Sequence, residues 1–152
     1  MIMLDIDVVA QWLSEIPLWQ RYNLTKAKAQ ASLEQALGQQ ELLLVADADS
    51  ENGQACAVAW CIPDGAFGRS AYLRILGVRA THSGQGVGSV LMDEVERFAR
   101  QSSEELFLLV SDFNLRAQRF YQRRGFQHIG VIPRYILPDV DENIYWKTLR
   151  TA

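Results

Sequence analysis

The chain has 152 residues, 49% hydrophobic and 22% charged, which suits one globular domain over residues 1–152 and excludes a disordered or fibrous chain. Its net charge of −3, from 15 Lys and Arg against 18 Asp and Glu, supplies no basic field, so no nucleic-acid partner is expected. No apolar run of about 18 residues and no basic start leading into one is present, and His82 and His128 are the only histidines; the sequence therefore predicts no membrane partner, no secretory leader, a cytoplasmic location and no metal.

In chain order, a helix around Val8–Glu15 is expected to close at Pro17, and a second to run from Thr25, a good N-cap, to Leu37 before Gly38. Between them lies an aromatic linker, 18–23. The runs Leu42–Ala46 and Gln54–Ile62 flank a turn-rich stretch ending in Asn52-Gly53, which predicts an antiparallel hairpin. Cys56 and Cys61, five apart in one strand, point to opposite faces and read as free thiols. A third strand is expected over Ala71–Val78 after the connection 63–70.

The pattern then turns helical: Val87, Val90, Leu91, Val95 and Phe98 recur on one face, with Asp93, Glu94, Glu96, Arg97 and Arg100 mostly on the other. Leu106–Val110 is a continuous apolar run, expected to be a central strand covered on both sides. A helix over Asn114–Arg124, a strand over Phe126–Ile132 and a last strand over Asn143–Leu149 complete a mixed α/β (α+β) domain of roughly six to seven strands flanked by about four helices.

The most informative segment lies between the third strand and the amphipathic helix. Gly84, Gly86 and Gly88 alternate in a loop, Ser83-Gly84-Gln85-Gly86-Val87-Gly88-Ser89, that opens directly into the helix. Bare backbone N–H groups at a helix N-terminus favour an anion, and absent side chains allow close approach; a pyrophosphate fits this chemistry. The loop lacks the Lys of a triphosphatase phosphate loop, and Leu91 stands where a dinucleotide fingerprint needs its third glycine.

Downstream stand Asn114, Ala117, Phe120-Tyr121 and Gly125-Phe126. In this order the two elements resemble the GNAT superfamily of acyl-CoA-dependent N-acyltransferases, over about residues 40 to 130. Gly86 and Gly88 match the glycines of its loop motif, whereas Ser83 occupies a place usually held by Arg or Gln. Arg79, His82, Arg123 and Arg124 are candidates for the missing positive charge.

The resemblance implies a GNAT-like fold with acetyl-CoA as co-substrate. Leu76, Gly77 and Val78 would meet the pantetheine arm through main-chain groups, one N–H polarising the thioester carbonyl. Asn114 and Tyr121 would face the same arm, with Tyr121 as the general acid that protonates the departing thiolate. The implied acceptor is a primary amine of a small molecule, peptide or protein, attacking directly in a ternary complex. An alkylammonium is only about one part in a thousand neutral at pH 7, so a base is needed. The strand before the loop holds no carboxylate; Asp112, Asp64, Asp139, Asp141 and Glu142 lie on predicted loops, and a water chain is weighed ahead of any of them. Trp19, Tyr22, Phe67, Tyr135 and Tyr145 are expected to give the acceptor an aromatic surface. The rival readings are a CoA-binding sensor without catalysis and an unrelated nucleotide-binding loop. The chain is expected to be a monomer or a homodimer.

Overall fold

The computed structural model describes residues 3–39, 41–47 and 53–151. Along the chain run α1 (Met3–Glu15), α2 (Pro17–Arg21), α3 (Lys26–Gly38), β1 (Leu42–Asp47), β2 (Ala55–Ala66), β3 (Ser70–Val78), a 3-10 turn (Ala80–His82), α4 (Val87–Ala99), β4 (Glu105–Ser111), α5 (Leu115–Arg123), β5 (Gln127–Ile132) and β6 (Glu142–Thr148). The strands form one mixed six-stranded sheet in the order β1-β2-β3-β4-β6-β5, so the chain has the α/β architecture its pattern predicts. Among the described residues no helix is long and apolar enough to cross a membrane.

Two compact units interleave in the sequence: Met1–Cys61 with Ile75–Val95, and Ile62–Arg74 with Glu96–Ala152. In the first, α1 buries Ile6, Val9, Ala10, Trp12 and Leu13, and α3 buries Ala29, Leu33 and Ala36. Each larger side chain here contributes about 1.5 to 3 kcal/mol by leaving water. Residues 55–61 of β2 are buried without alternation, as a strand covered on both faces requires. The Trp12 indole N–H closes the packing with a 3.0 Å bond to the Ala55 carbonyl.

Thr25 caps α3 as expected, its Oγ1 accepting from the Lys28 N–H at 3.2 Å. Pro17 does not merely end α1. It opens a further short helix, α2, in the expected linker, because a proline in the first turn gives up no helical hydrogen bond. The β1–β2 hairpin has the expected pairing, Leu42↔Cys61 through Ala46↔Ala57; residues 48–52 of its turn lie outside the described residues. Cys56 and Cys61 are buried and unbridged.

The second unit begins within β2, which continues through Pro63 to Ala66, four residues past the expected end at Ile62. The connection to β3 shrinks to a tight turn in which Phe67 and Gly68 both take positive φ, +59° and +64°, with Arg69 N–H donating to the Ala66 carbonyl at 3.1 Å. Two consecutive positive φ angles suit the twist of a two-residue hairpin, and Phe67 holds one without being glycine. Its ring meets Phe107 edge to face at 5.5 Å.

β4 pairs in parallel with β3 over Ala71↔Leu106 to Leu73↔Leu108 and antiparallel with β6 from Glu105↔Thr148 to Ser111↔Glu142. Leu106, Leu108 and Val110 are buried, whereas Phe107 and Leu109 are half-buried. The apolar run thus conceals an alternation that the expected two-sided cover did not include. On the face of Leu106 and Leu108 lie Tyr145 and Lys147 of β6, and α5 packs there through Gln122, which donates to the Tyr145 hydroxyl at 3.3 Å.

Candidate functional site

The glycine loop belongs to the first unit. Leu76, Gly77 and Val78 end β3, and the parallel β3–β4 ladder stops at Leu73, before they are reached. A Cβ on Gly77 would stand 2.8 Å from Leu13 Cδ2, so this glycine lets α1 approach the strand whatever else its backbone does. Arg79 N–H donates to the Cys56 carbonyl at 2.7 Å, and the 3-10 turn carries the chain to Ser83. His82 Nδ1 lies 2.8 Å from Thr81 Oγ1.

Residues 83–86 are exposed. Gly84 and Gly86 adopt φ of +79° and +81°, and a Cβ on either would meet nothing within 4 Å. They are therefore glycine for their backbone conformation, and open space lies above them. Val90 N–H donates to the Gly86 carbonyl at 3.2 Å, leaving the N–H groups of α4's first turn without helical acceptors, as at any helix start. An uncrowded loop of this kind, leading into a 13-residue helix, fits a diphosphate held by main-chain donors. Val90 itself is 62% exposed, off the apolar face assigned to it by spacing, and Leu91, Met92, Val95 and Ala99 form the buried stripe instead.

The second unit holds Asn114, Ala117 and Tyr121. Asn114 is the N-cap of α5, its Oδ1 accepting from Ala117 N–H at 3.2 Å. Tyr121 is buried between Phe120 and Phe126, with ring centroids 5.1 and 5.5 Å away in edge-on arrangements. Burial pushes its hydroxyl pKa well above the ordinary 10.0, with Arg124 pulling weakly the other way. The group therefore keeps its proton throughout the physiological range.

Arg124, one candidate for phosphate neutralisation, is committed elsewhere. Glu96, expected on the polar face of α4, is 4% exposed and accepts from Arg124 Nη2 at 3.3 Å and from Lys147 Nζ at 3.0 Å on both oxygens. Arg100 adds a third cation at 3.7 Å.

Of the expected acceptor aromatics, Tyr145 is 1% exposed and belongs to the core, where its hydroxyl meets Gln118 and Gln122. Phe67 and Tyr135 are 86% and 60% exposed, and Trp19 and Tyr22 sit 6.5 Å apart in the first unit. Asp112 ties down a loop rather than standing free: its N–H donates to the Asp141 carbonyl at 2.9 Å and its Oδ2 accepts from Asp141 N–H at 3.2 Å.

Glu142, placed on a loop by the sequence, opens β6 and is 3% exposed. Its charge reaches Tyr72, whose pKa is raised first by burial and then by Tyr135 and Glu142, against Arg74. In the sequence alone, Tyr72 looks like any other β-former in a strand.

No curated protein sequence matches the chain. Among solved structures it superposes on an N-acetyltransferase from Staphylococcus aureus Mu50 with a TM-score of 0.79 and 18% identity, covering 99% of this chain and 96% of that one. It superposes on Ard1 from Thermoplasma volcanium with a TM-score of 0.78 and 21% identity, covering 99% and 95%. An aminoglycoside 6'-N-acetyltransferase complexed with coenzyme A gives 0.74 and 14%, covering 95% and 93%. At these identities the likeness is one of fold. The family model for the acetyltransferase (GNAT) family matches residues 6–126, most of the sequence and both of the elements just described, and the chain belongs to that family.

Proposed function

We propose that the protein is an N-acetyltransferase that moves an acetyl group from acetyl-CoA to a primary amine in a ternary complex. The observation that carries this reading is the exposed loop at Gly84 and Gly86, with positive φ and open space at both, leading into α4. Its support beyond the loop is the family match and the coenzyme A bound by one of the structural neighbours.

In this reading the backbone N–H groups of residues 84–88, with Ser83 and Ser89, hold the pyrophosphate. Leu76, Gly77 and Val78 offer main-chain groups to the pantetheine, and one N–H there takes the negative charge that develops on the carbonyl oxygen, an interaction worth about 3 to 4 kcal/mol where measured. When bound, acetyl-CoA supplies an activated acyl group with a thiol leaving group. Asn114 orients α5 through its cap, and Ala117 keeps that helix face narrow.

Tyr121 delivers a hydrogen bond to the departing sulfur. With its pKa above 10 and an ordinary thiol near 8.5, complete proton transfer is uphill by at least ~2 kcal/mol. Stabilisation of the developing thiolate by the O–H donor is therefore its main contribution.

The test is the thermal unfolding midpoint with acetyl-CoA, ATP and NAD in parallel. Ligand at 100 times its Kd adds about 2.7 kcal/mol, a shift of roughly 5 to 11 °C for a domain of this size. A shift with acetyl-CoA alone is expected; none at millimolar acetyl-CoA removes the acetyltransferase reading.

A further inference from the structure

The glycine loop offers main-chain donors but little charge. Ser83 stands where a cation would meet the anion, and α4 carries no basic residue until Arg97 in its last turn. Its first turn holds no acid that would oppose an anion. A diphosphate diester brings about two negative charges, and the roughly half a charge at a helix N-terminus leaves most of that uncompensated.

Four cations are candidates for the missing charge, and the structure separates them. Arg124 is engaged by Glu96 at 3.3 Å. Arg123 lies two residues past Tyr121, about 200° around α5, on its exposed side and turned from the face of Asn114, Ala117 and Tyr121. His82 has its Nδ1 taken up by Thr81 Oγ1 at 2.8 Å. Arg79 remains. It is half-buried, its side chain caps nothing, and among the described residues its guanidinium has no hydrogen bond, ion pair or ring contact.

The backbone of Arg79 is fixed from both sides. Its N–H donates at 2.7 Å to the carbonyl of Cys56, which is buried, and its own carbonyl accepts from His82 N–H at 2.8 Å. Ser83 N–H follows onto the Ala80 carbonyl at 3.3 Å. These successive bonds fold the chain back through the 3-10 turn and hold the Cα atoms of Arg79 and His82 within about 7 Å, a gap that an arginine side chain is long enough to span. Arg79 and the loop also belong to the same compact unit. A guanidinium drawn partly out of water with no counter-charge costs free energy, and an arriving anion returns it.

We propose that Arg79 is the cation of the diphosphate site, supplying from across the 3-10 turn the charge that Ser83 lacks. The main-chain donors of the loop orient the ligand, and Arg79 neutralises it. The assignment deepens the acetyltransferase reading and rests on it for the identity of the ligand as an acyl-CoA.

The test is isothermal titration calorimetry of the full chain with acetyl-CoA and with acetyl-3'-dephospho-CoA, which keeps the diphosphate and lacks the 3'-phosphate. Arg79→Gln should bind both ligands about 10- to 150-fold more weakly than the parent, the value of a hydrogen bond to a charged group, and its binding should respond less steeply to added salt. Arg79→Lys should keep much of the affinity, and Arg79→Gln combined with Ser83→Arg should recover most of it. Thermal unfolding without ligand should be unchanged in Arg79→Gln, because the side chain holds no other group of the protein in place. Unchanged binding in Arg79→Gln overturns the assignment. So does a loss that spares the dephospho ligand, which would give Arg79 to the 3'-phosphate, or a loss that Ser83→Arg leaves unrepaired. A parent that binds neither ligand removes the acetyl-CoA reading itself, whereas a parent that binds them and gives any of those results removes the Arg79 assignment alone.

Discussion

Replacing Glu96 by Gln removes one charge and almost no volume, which makes it a clean probe of the ion cluster beneath α4. The Glu96 side chain is 6% exposed, with Lys147 and Arg124 at 22% and 16% and N–O distances of 3.0 and 3.3 Å. Arg100, at 47% exposure and 3.7 Å, counts for little because solvent screens it. Gln offers one acceptor oxygen to two largely buried cations and turns an NH2 toward one of them. Breaking a buried pair in this way costs about 3 to 5 kcal/mol, and for a domain of this size each kcal/mol moves Tm by roughly 2 to 4 °C. Urea denaturation followed by circular dichroism should therefore show Glu96→Gln destabilised by about 3 to 5 kcal/mol, with Tm lower by roughly 6 to 20 °C. Substituting Glu96→Leu, Lys147→Met and Arg124→Met together should return much of the loss, since apolar side chains of similar volume leave no buried charge uncompensated. A Glu96→Gln protein within about 1 kcal/mol of the parent would refute the argument, because a cluster so indifferent to the loss of this carboxylate would have to be solvated.

At Gly86, Ala meets no neighbour within 4 Å but must take a φ of +81°; a cost of about 1 to 2 kcal/mol is expected from calorimetry, together with a smaller acetyl-CoA-induced shift. Gly38→Ala, also without neighbours but free of positive φ, should be neutral or stabilising at the end of α3. Tyr121→Phe should lower kcat about 10- to 150-fold, the value of a hydrogen bond to a charged group, while leaving the acetyl-CoA dissociation constant nearly unchanged; unaltered turnover would remove Tyr121 from the chemistry. The raised pKa of Tyr121 also ties stability to alkaline pH. The unfolded chain ionises this tyrosine near pH 10 while the folded one does not, so the contribution is complete below that pH and declines as pH rises above it. Thermal unfolding from about pH 9 to 11.5 should show Tyr121→Phe losing stability less steeply than the parent.

What the sequence disclosed follows from how local each signal is. The Thr25 cap, the glycine loop before α4 and the antiparallel hairpin of β1 with β2 depend on signals close together in the chain, and all are readable. Pro17 is ambiguous, because the same ring that ends one helix is suited to start the next. A proline ordinarily marks a strand end, yet β2 carries on through Pro63 to Ala66. Glu96 and Glu142 were misplaced for a different reason: a charged residue in a helix or before a strand looks solvated until its partners arrive from α5, β6 and β3, far away in the chain. The same holds for Tyr145, whose polar partners lie on α5. For Tyr121 the motif supplied position, and the structure added the burial that keeps its proton in place.

The place of β6 between β4 and β5 governs the order in which the second unit is completed during synthesis. β5 is translated before β6, yet every ladder pair it makes is with β6, and β4 must wait with an open edge for the same strand. As the ribosome extends the chain, both strands emerge with unsatisfied N–H and C=O groups, and the last strand made closes both edges at once. A translational pause before Glu142 would prolong the exposure of these edges.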